Sequence, residues 1–231
     1  MNTRPTIIFD FDGTIALGDG PVLAYAQQAA DVIGAPDGFV DGIRAALAAG
    51  DPDSLDGYDA VRRAAEQLGA DAEALGRAYL ASRAQLGTPA AEITAPAGLA
   101  DFLADAAAHA ERVLVTNAPG IRLDEALGAL GLAGLFDRIV SGAGKPDGLD
   151  VVLDALPDGA RVLSVGDIWV NDLAPVHRRG GATALVGDFP DAAADPTFRA
   201  ADLTVLLPQL RDWLTDSASA SPLTPTTTTE G

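Results

Sequence analysis

TIIFDFDGT, residues 6–14, places four strand-forming residues ahead of two carboxylates that are separated by one phenylalanine and followed by a glycine. The apolar run predicts a short buried strand over Thr6–Phe9. While the chain stays extended beyond it, Asp10 and Asp12 project to the same side. Gly13 then allows the backbone to turn sharply beside whatever those acids bind.

Outward from this stretch, similar runs rich in Val, Ile and Leu recur at Val113–Val115, Arg138–Ser141, Val162–Val165 and Thr183–Val186, with a weaker one at Leu203–Val205. Amphipathic stretches between them, among them Leu99–His109, Leu123–Leu130 and Leu149–Leu156, have helical spacing. The alternation predicts an α/β fold: a parallel sheet with helices on both faces. One interval breaks it. From about Leu17 to Ile93 the chain has helical segments and turn signals but no good strand, which reads as an inserted helical lobe. The tail from Asp216, DSASASPLTPTTTTEG, has almost nothing to bury and is expected to be disordered.

Ligands of open α/β sheets bind beyond the carboxyl ends of the strands. Asp10 and Asp12 follow the first predicted strand, Thr116 and Asn117 follow RVLV, Lys145 follows RIVSG, and Asp167, Asn171 and Asp172 follow LSVG. Such a convergence suits phosphoryl transfer. One carboxylate can attack phosphorus to form an acyl phosphate; its neighbour can protonate the leaving oxygen and then deprotonate the hydrolytic water. Asp10, Asp12, Asp167 and Asp172 cannot crowd around a phosphate without positive charge. A hard divalent ion with oxygen ligands, Mg²⁺ by preference, would supply it. Lys145 would supply the rest, and it is the chain's only lysine against fourteen arginines.

Composition narrows the partners. A net charge of −18 on 231 residues repels nucleic acid and anionic membranes. With no cysteine there is no thiol nucleophile, thiolate metal site or disulfide framework, and the two histidines, His109 and His177, match no zinc spacing. The apolar run after Arg4 is too short for a signal peptide, so a cytoplasmic protein acting on a small phosphorylated metabolite is expected. SGAGKPDG lacks P-loop spacing, and neither GxGxxG after a strand nor GxSxG occurs.

Taken in order, DFDGT at Asp10–Thr14, VTN at Val115–Asn117, GKP around Lys145 and GDIWVND at Gly166–Asp172 resemble the haloacid dehalogenase superfamily, specifically its phosphatase branch. The resemblance implies a three-layer Rossmann-like core (residues 1–16 and 93–215) with an all-helical cap (17–92) inserted after the first motif, and a tail at 216–231. It implies Asp10 as nucleophile, Asp12 as general acid/base, and Thr116, Asn117 and Lys145 as phosphate-binding residues. The ion would be held by Asp10, the Asp12 backbone carbonyl, Asp167 and Asp172. The cap would choose the substrate. Ile168 stands where the family often has Ser or Thr, which removes a local hydroxyl hydrogen bond.

Other residues read more plainly. Asn171 and Asp172 are also good helix caps. His109 reads as a surface or partly buried helical residue, Trp169 as packing, and Arg178 with Arg179 as complementing a helix dipole. Arg44, Arg62, Arg63, Arg77 and Arg83 in the insert are candidates to meet a second anionic group on a substrate, and the pattern singles out none. Two other functions share the motifs: a phosphomutase of the same family, and a catalytically silent binding protein. A carbon–halogen dehalogenase fits less well, because a halide leaving group needs no second acid.

Overall fold

The computed structural model describes residues 4–50, 54–187 and 193–216. In chain order the elements are β1 (Thr6–Phe9), α1 (Gly20–Ile33), α2 (Phe39–Ala49), α3 (Gly57–Gln67), α4 (Ala72–Arg83), α5 (Leu99–Ala106), β2 (Glu111–Val115) and α6 (Leu123–Ala129). They continue with β3 (Arg138–Val140), α7 (Asp147–Asp154), β4 (Val162–Gly166), a π-helical turn (Trp169–Leu173), α8 (Ala174–Arg178), β5 (Ala182–Val186), β6 (Phe198–Ala200) and α9 (Leu203–Thr215). Among the described residues no helix is long and apolar enough to cross a membrane.

The six strands form one parallel sheet in the order β3-β2-β1-β4-β5-β6. β1 is central because its side chains can be buried on both faces, and all four are. Ile8 packs with Val113, Val162 and the apolar side of α7. On the alternate face Phe9 meets Phe102 of α5 and Phe136 edge-on, with ring centroids 6.3 and 6.0 Å apart. The core is thus a three-layer α/β arrangement of Rossmann-like type.

Two sequence expectations are corrected here. Leu203–Val205 is the first turn of α9 rather than a strand. The Asp202 carboxylate accepts from Thr204 N at 2.7 Å, and Leu203, Leu206, Leu207, Leu210 and Leu214 are buried at helical spacing. The sixth strand lies just upstream at Phe198–Ala200, led in by reciprocal bonds between Thr183 and Thr197, each backbone N–H donating to the other hydroxyl at 3.1 Å. Arg178 and Arg179 do more than face a dipole. The buried Arg179 binds Asp150 and Asp154 of α7 at 2.8 and 2.6 Å, and Arg178 reaches Asp150 at 3.1 Å, which ties α8 to α7. Residues 217–231, nearly all of the tail expected to be disordered, lie outside the described residues.

Arg112 and Asp137 fasten the other edge. The Arg112 guanidinium donates to both Asp137 oxygens, at 2.9 and 2.8 Å, its backbone N–H adds a third bond at 2.8 Å, and Nη1 reaches Leu103 O at 3.0 Å. The hydrogen-bonded guanidinium holds the Asp137 carboxyl down at about 2, against an ordinary 3.8. A depressed carboxyl pKa stabilises the fold above the unfolded value and loses that contribution as pH falls towards the folded one. With Asp137 about one-third exposed, Asp137→Asn is expected to cost roughly 1–2 kcal/mol at pH 7. In urea unfolding the gap to wild type should close as pH falls from about 4 to about 2. Equal stability at pH 7, or a gap undiminished at pH 2, would contradict this.

By its contacts the chain divides into two compact units: residues 1–16, 95–118 and 132–231 carry the sheet, and residues 17–94 with 119–131 form a helical unit. Within the helical unit α1, α3 and α4 bury Tyr25, Ala26, Val61, Ala65, Leu75 and Ala78. α6 joins it through Arg122, which donates to Leu86 O at 3.0 Å. Asp56 and Asp71 cap α3 and α4, each accepting from a backbone N–H at 2.7 Å. Arg62 pairs with Asp59 and Glu66, Arg63 lies 3.9 Å from Asp59, Arg77 lies 2.5 Å from Glu73, and Arg83 is buried, donating to Tyr58 Oη at 3.2 Å.

Candidate active site

β1 ends in the middle of the sheet, and its neighbours β2 and β4 leave to opposite sides of it, so the loops after all three meet over one edge. The Asp10 backbone N–H donates to Val165 O at 2.9 Å, continuing the β1–β4 ladder one residue past the strand. The Asp10 side chain is therefore fixed at the sheet edge and buried, while Phe11 turns completely into the core. Asp12 is half-buried.

Lys145 lies at the centre. Its Nζ donates to Asp10 Oδ1 and to Asp172 Oδ1, both at 2.6 Å, with all three side chains buried. Burial alone would pull the ammonium pKa down; Asp10 and Asp172 outweigh it and hold it above its ordinary value. Asp10 is pushed up from 3.8 to about 7, first by burial and then by the charge of Asp172, with Lys145 opposing and the nearby Asp12 adding a smaller push.

The route of Lys145 to this place involves Asn117. Asn117 Oδ1 accepts from Lys145 N at 2.5 Å and Nδ2 donates to Lys145 O at 3.2 Å, so the amide grips the backbone of the lysine. Around it Ala143 N donates to Thr116 O at 3.0 Å and Gly142 N to Ala118 O at 2.8 Å, zipping the loops after β2 and β3 together. Thr116 is buried, and its hydroxyl accepts from Ala118 N at 3.0 Å.

After β4 the chain enters the π-helical turn, a form that recurs at functional sites because its wider pitch re-aims a side chain. It directs Asp172 inward. Asp172 Oδ2 accepts from Ile168 N at 2.9 Å, so a backbone donor at Ile168 orders this loop without a hydroxyl there. Two residues that sequence reasoning passed over support the acids. Ser164, buried on β4, donates to Asp172 O at 2.6 Å, and the buried Thr14 hydroxyl lies 3.5 Å from Asp167 Oδ1. A hydroxyl inside an otherwise apolar strand must find an acceptor, and that was the available signal for Ser164. Two glycines leave room. A Cβ on Gly13 (φ +81°) would lie 2.3 Å from Asp167 Oδ2, and one on Gly166 would lie 2.3 Å from Asp172 Cβ. Trp169 packs with Leu173 and Leu185, and His109 is exposed in the turn after α5.

Carboxylate oxygens of Asp10, Asp167 and Asp172 lie within 4.8 Å of one another. Three carboxylates against one ammonium leave an excess of negative charge in a largely buried place, and an oxygen-only donor set of this size suits a hard cation. These residues could hold one. The Asp12 carboxylate is not one of these three.

The model of a hydrolase family described as haloacid dehalogenase-like hydrolase matches residues 5–177. No curated protein sequence matches the chain. Solved structures share the fold. YfnB of Bacillus subtilis, bound to magnesium, is 18% identical with a TM-score of 0.61, over 91% of this chain and 100% of that one. A predicted phosphoglycolate phosphatase of Haemophilus somnus 129pt is 20% identical with a TM-score of 0.64, over 91% and 99%. A 2-haloacid dehalogenase of Pseudomonas syringae pv. Tomato DC3000 is 20% identical with a TM-score of 0.55, over 91% and 100%.

Proposed function

The chain belongs to the haloacid dehalogenase-like hydrolase family, and we propose that within it this protein is a Mg²⁺-dependent phosphatase for a small phosphomonoester. One observation carries the choice of phosphatase over dehalogenase: a second carboxylate, the half-buried Asp12, stands two residues beyond Asp10 in the loop that follows β1. A halide needs no proton to leave, whereas an alkoxide does.

In the proposed reaction an Asp10 oxygen attacks phosphorus while the bond to the ester oxygen breaks, and Asp12 gives that oxygen its proton. Asp12 then takes a proton from water, whose oxygen attacks the phosphorus of the aspartyl phosphate. The Asp10–phosphorus bond breaks and inorganic phosphate leaves. Lys145 and Thr116 would bind the phosphate oxygens, and Asn117 would serve by gripping the Lys145 backbone. Mg²⁺ on Asp10, Asp167 and Asp172, with the Asp12 backbone carbonyl, would neutralise charge developing on the phosphoryl group. The cation would also favour an ionised Asp10, against the upward push that burial gives its pKa. The helical unit would act as the cap that selects the substrate. A net charge of −18 favours small metabolites over nucleic acid, and the cytoplasm is the proposed setting.

The test is phosphate release from an aryl phosphate and a panel of phosphometabolites with Mg²⁺, beside halide release from 2-haloacids. Phosphate release is expected, and EDTA should reduce it at least about a hundredfold, with Mg²⁺ restoring it. Halide release without phosphate release, or full activity in EDTA, would overturn the reading.

A further inference from the structure

Lys145 and Asp172 meet although the strands that deliver them do not touch. Lys145 follows β3 and Asp172 follows β4, and β2 and β1 lie between, so about 14 Å of sheet separates the two strands. Strand pairing alone leaves the spacing of the two side chains undetermined. On the β2 side the Lys145 backbone is gripped by Asn117. On the β4 side the connection runs through helices. α7 begins two residues after Lys145 and α8 two residues after Asp172, so each partner of the buried ion pair stands at the N-terminal end of one helix.

The two helices are joined along their length and at the far end. Val176 of α8 lies in one apolar cluster with Leu149, Val152 and Leu153 of α7. Arg179, which ends α8, is only 7% exposed. Its Nε and Nη2 donate to Asp150 Oδ1 at 3.1 and 2.8 Å, and its Nη1 donates to Asp154 Oδ1 at 2.6 Å. Asp150 and Asp154 stand one helical turn apart on α7, so the planar fork holds that helix at two points and resists both sliding and rotation. α7 has eight residues and α8 five, too few for either to keep its place without such ties.

We infer that Arg179 is a positioning residue: by locking α8 to α7 it sets the spacing of Lys145 and Asp172, and with it the place of Asp172 among the carboxylates that could hold a cation. Its consequence for turnover rests on the phosphatase reading; the spacing itself does not.

Lys145 is the chain's only lysine, so full-length protein made with lysine labelled by ¹⁵N at Nζ gives one ammonium signal, that of the buried pair. Arg179→Met keeps an apolar stem of similar length and removes the fork. It should shift this signal and speed the exchange of its protons with water at least about tenfold. Arg179→Lys, which keeps the charge without the fork, should fall between. Arg112→Met removes an arginine–aspartate pair at the other edge of the sheet and controls for lost stability. It should lower the melting temperature yet leave the Lys145 signal in place. The Mg²⁺ concentration at half-maximal phosphate release should rise at least about tenfold in Arg179→Met and less than about twofold in Arg112→Met. If Arg179→Met does not fold, Asp154→Asn, which alters one exposed carboxylate of the clamp, should shift the same signal. A Lys145 signal unmoved by these changes in the clamp, or moved as far by Arg112→Met, overturns the inference and leaves the phosphatase reading standing. An Arg179-dependent signal in a protein that releases phosphate from no ester upholds the positioning role and overturns the phosphatase reading.

Discussion

Asp10→Asn is expected to lower phosphate release at least about a thousandfold while leaving the protein folded. The amide has nearly the shape of the carboxylate, and its oxygen can still accept from Lys145 Nζ, which the carboxylate meets at 2.6 Å. It cannot form an acyl phosphate. The backbone at this position is held by the Val165 carbonyl, so the side-chain change has no reason to move the strand end. Acid-quenched wild-type protein, caught during turnover, should carry the phosphoryl group on the peptide that contains Asp10. Thermal melting should place the variant within a few degrees of wild type. Turnover within tenfold of wild type would remove Asp10 as the nucleophile, and a phosphoryl group found on another residue would reassign it.

Gly166→Ala should produce the second large effect, although Gly166 offers no chemistry. A methyl group there would lie 2.3 Å from Asp172 Cβ and 2.7 Å from its Cγ and Oδ2. The clash is with the root of the side chain, so a change of rotamer does not relieve it; the π-helical turn itself has to shift. That turn is braced by Ser164 on Asp172 O and by Ile168 N on Asp172 Oδ2, and both bonds depend on its present position. Displacing Asp172 by about an ångström pulls it from Lys145 and from the cation cluster, and misplacements of that size cost about a hundredfold in rate. The expected result is a comparable loss in kcat/KM together with a higher Mg²⁺ concentration at half-maximal rate. Wild-type kinetics in Gly166→Ala would show that Asp172 does not need its observed position.

Five of the six strands were legible because each is a short apolar run bounded by turns, and β1 and β4 are so completely buried that their sequences leave little choice. β6 was not. FRA is too short for a pattern, and its pairing depends on Thr183 and Thr197, which no local window connects. The neighbouring LTV looked like a strand because β-branched residues favour one, but Asp202 caps a helix there and the spacing from Leu203 to Leu214 extends it. The acids were visible as a set through their place after successive strands. The supporting hydroxyls of Ser164 and Thr14 and the grip of Asn117 on Lys145 were not visible, since each depends on a partner in another element or loop.

On its own the sequence determined the α/β class, the family motifs and which residue types stand at the strand ends, because burial and alternation are written locally along each strand. The tertiary structure decided what those residues meet. It set one ammonium between Asp10 and Asp172, gave Asn117 a grip on the Lys145 backbone, and made Gly166 a point where only a hydrogen fits. The physical reason is distance along the chain: Asp10 and Lys145 lie 135 positions apart, and only the parallel order of the strands brings their charges within 2.6 Å.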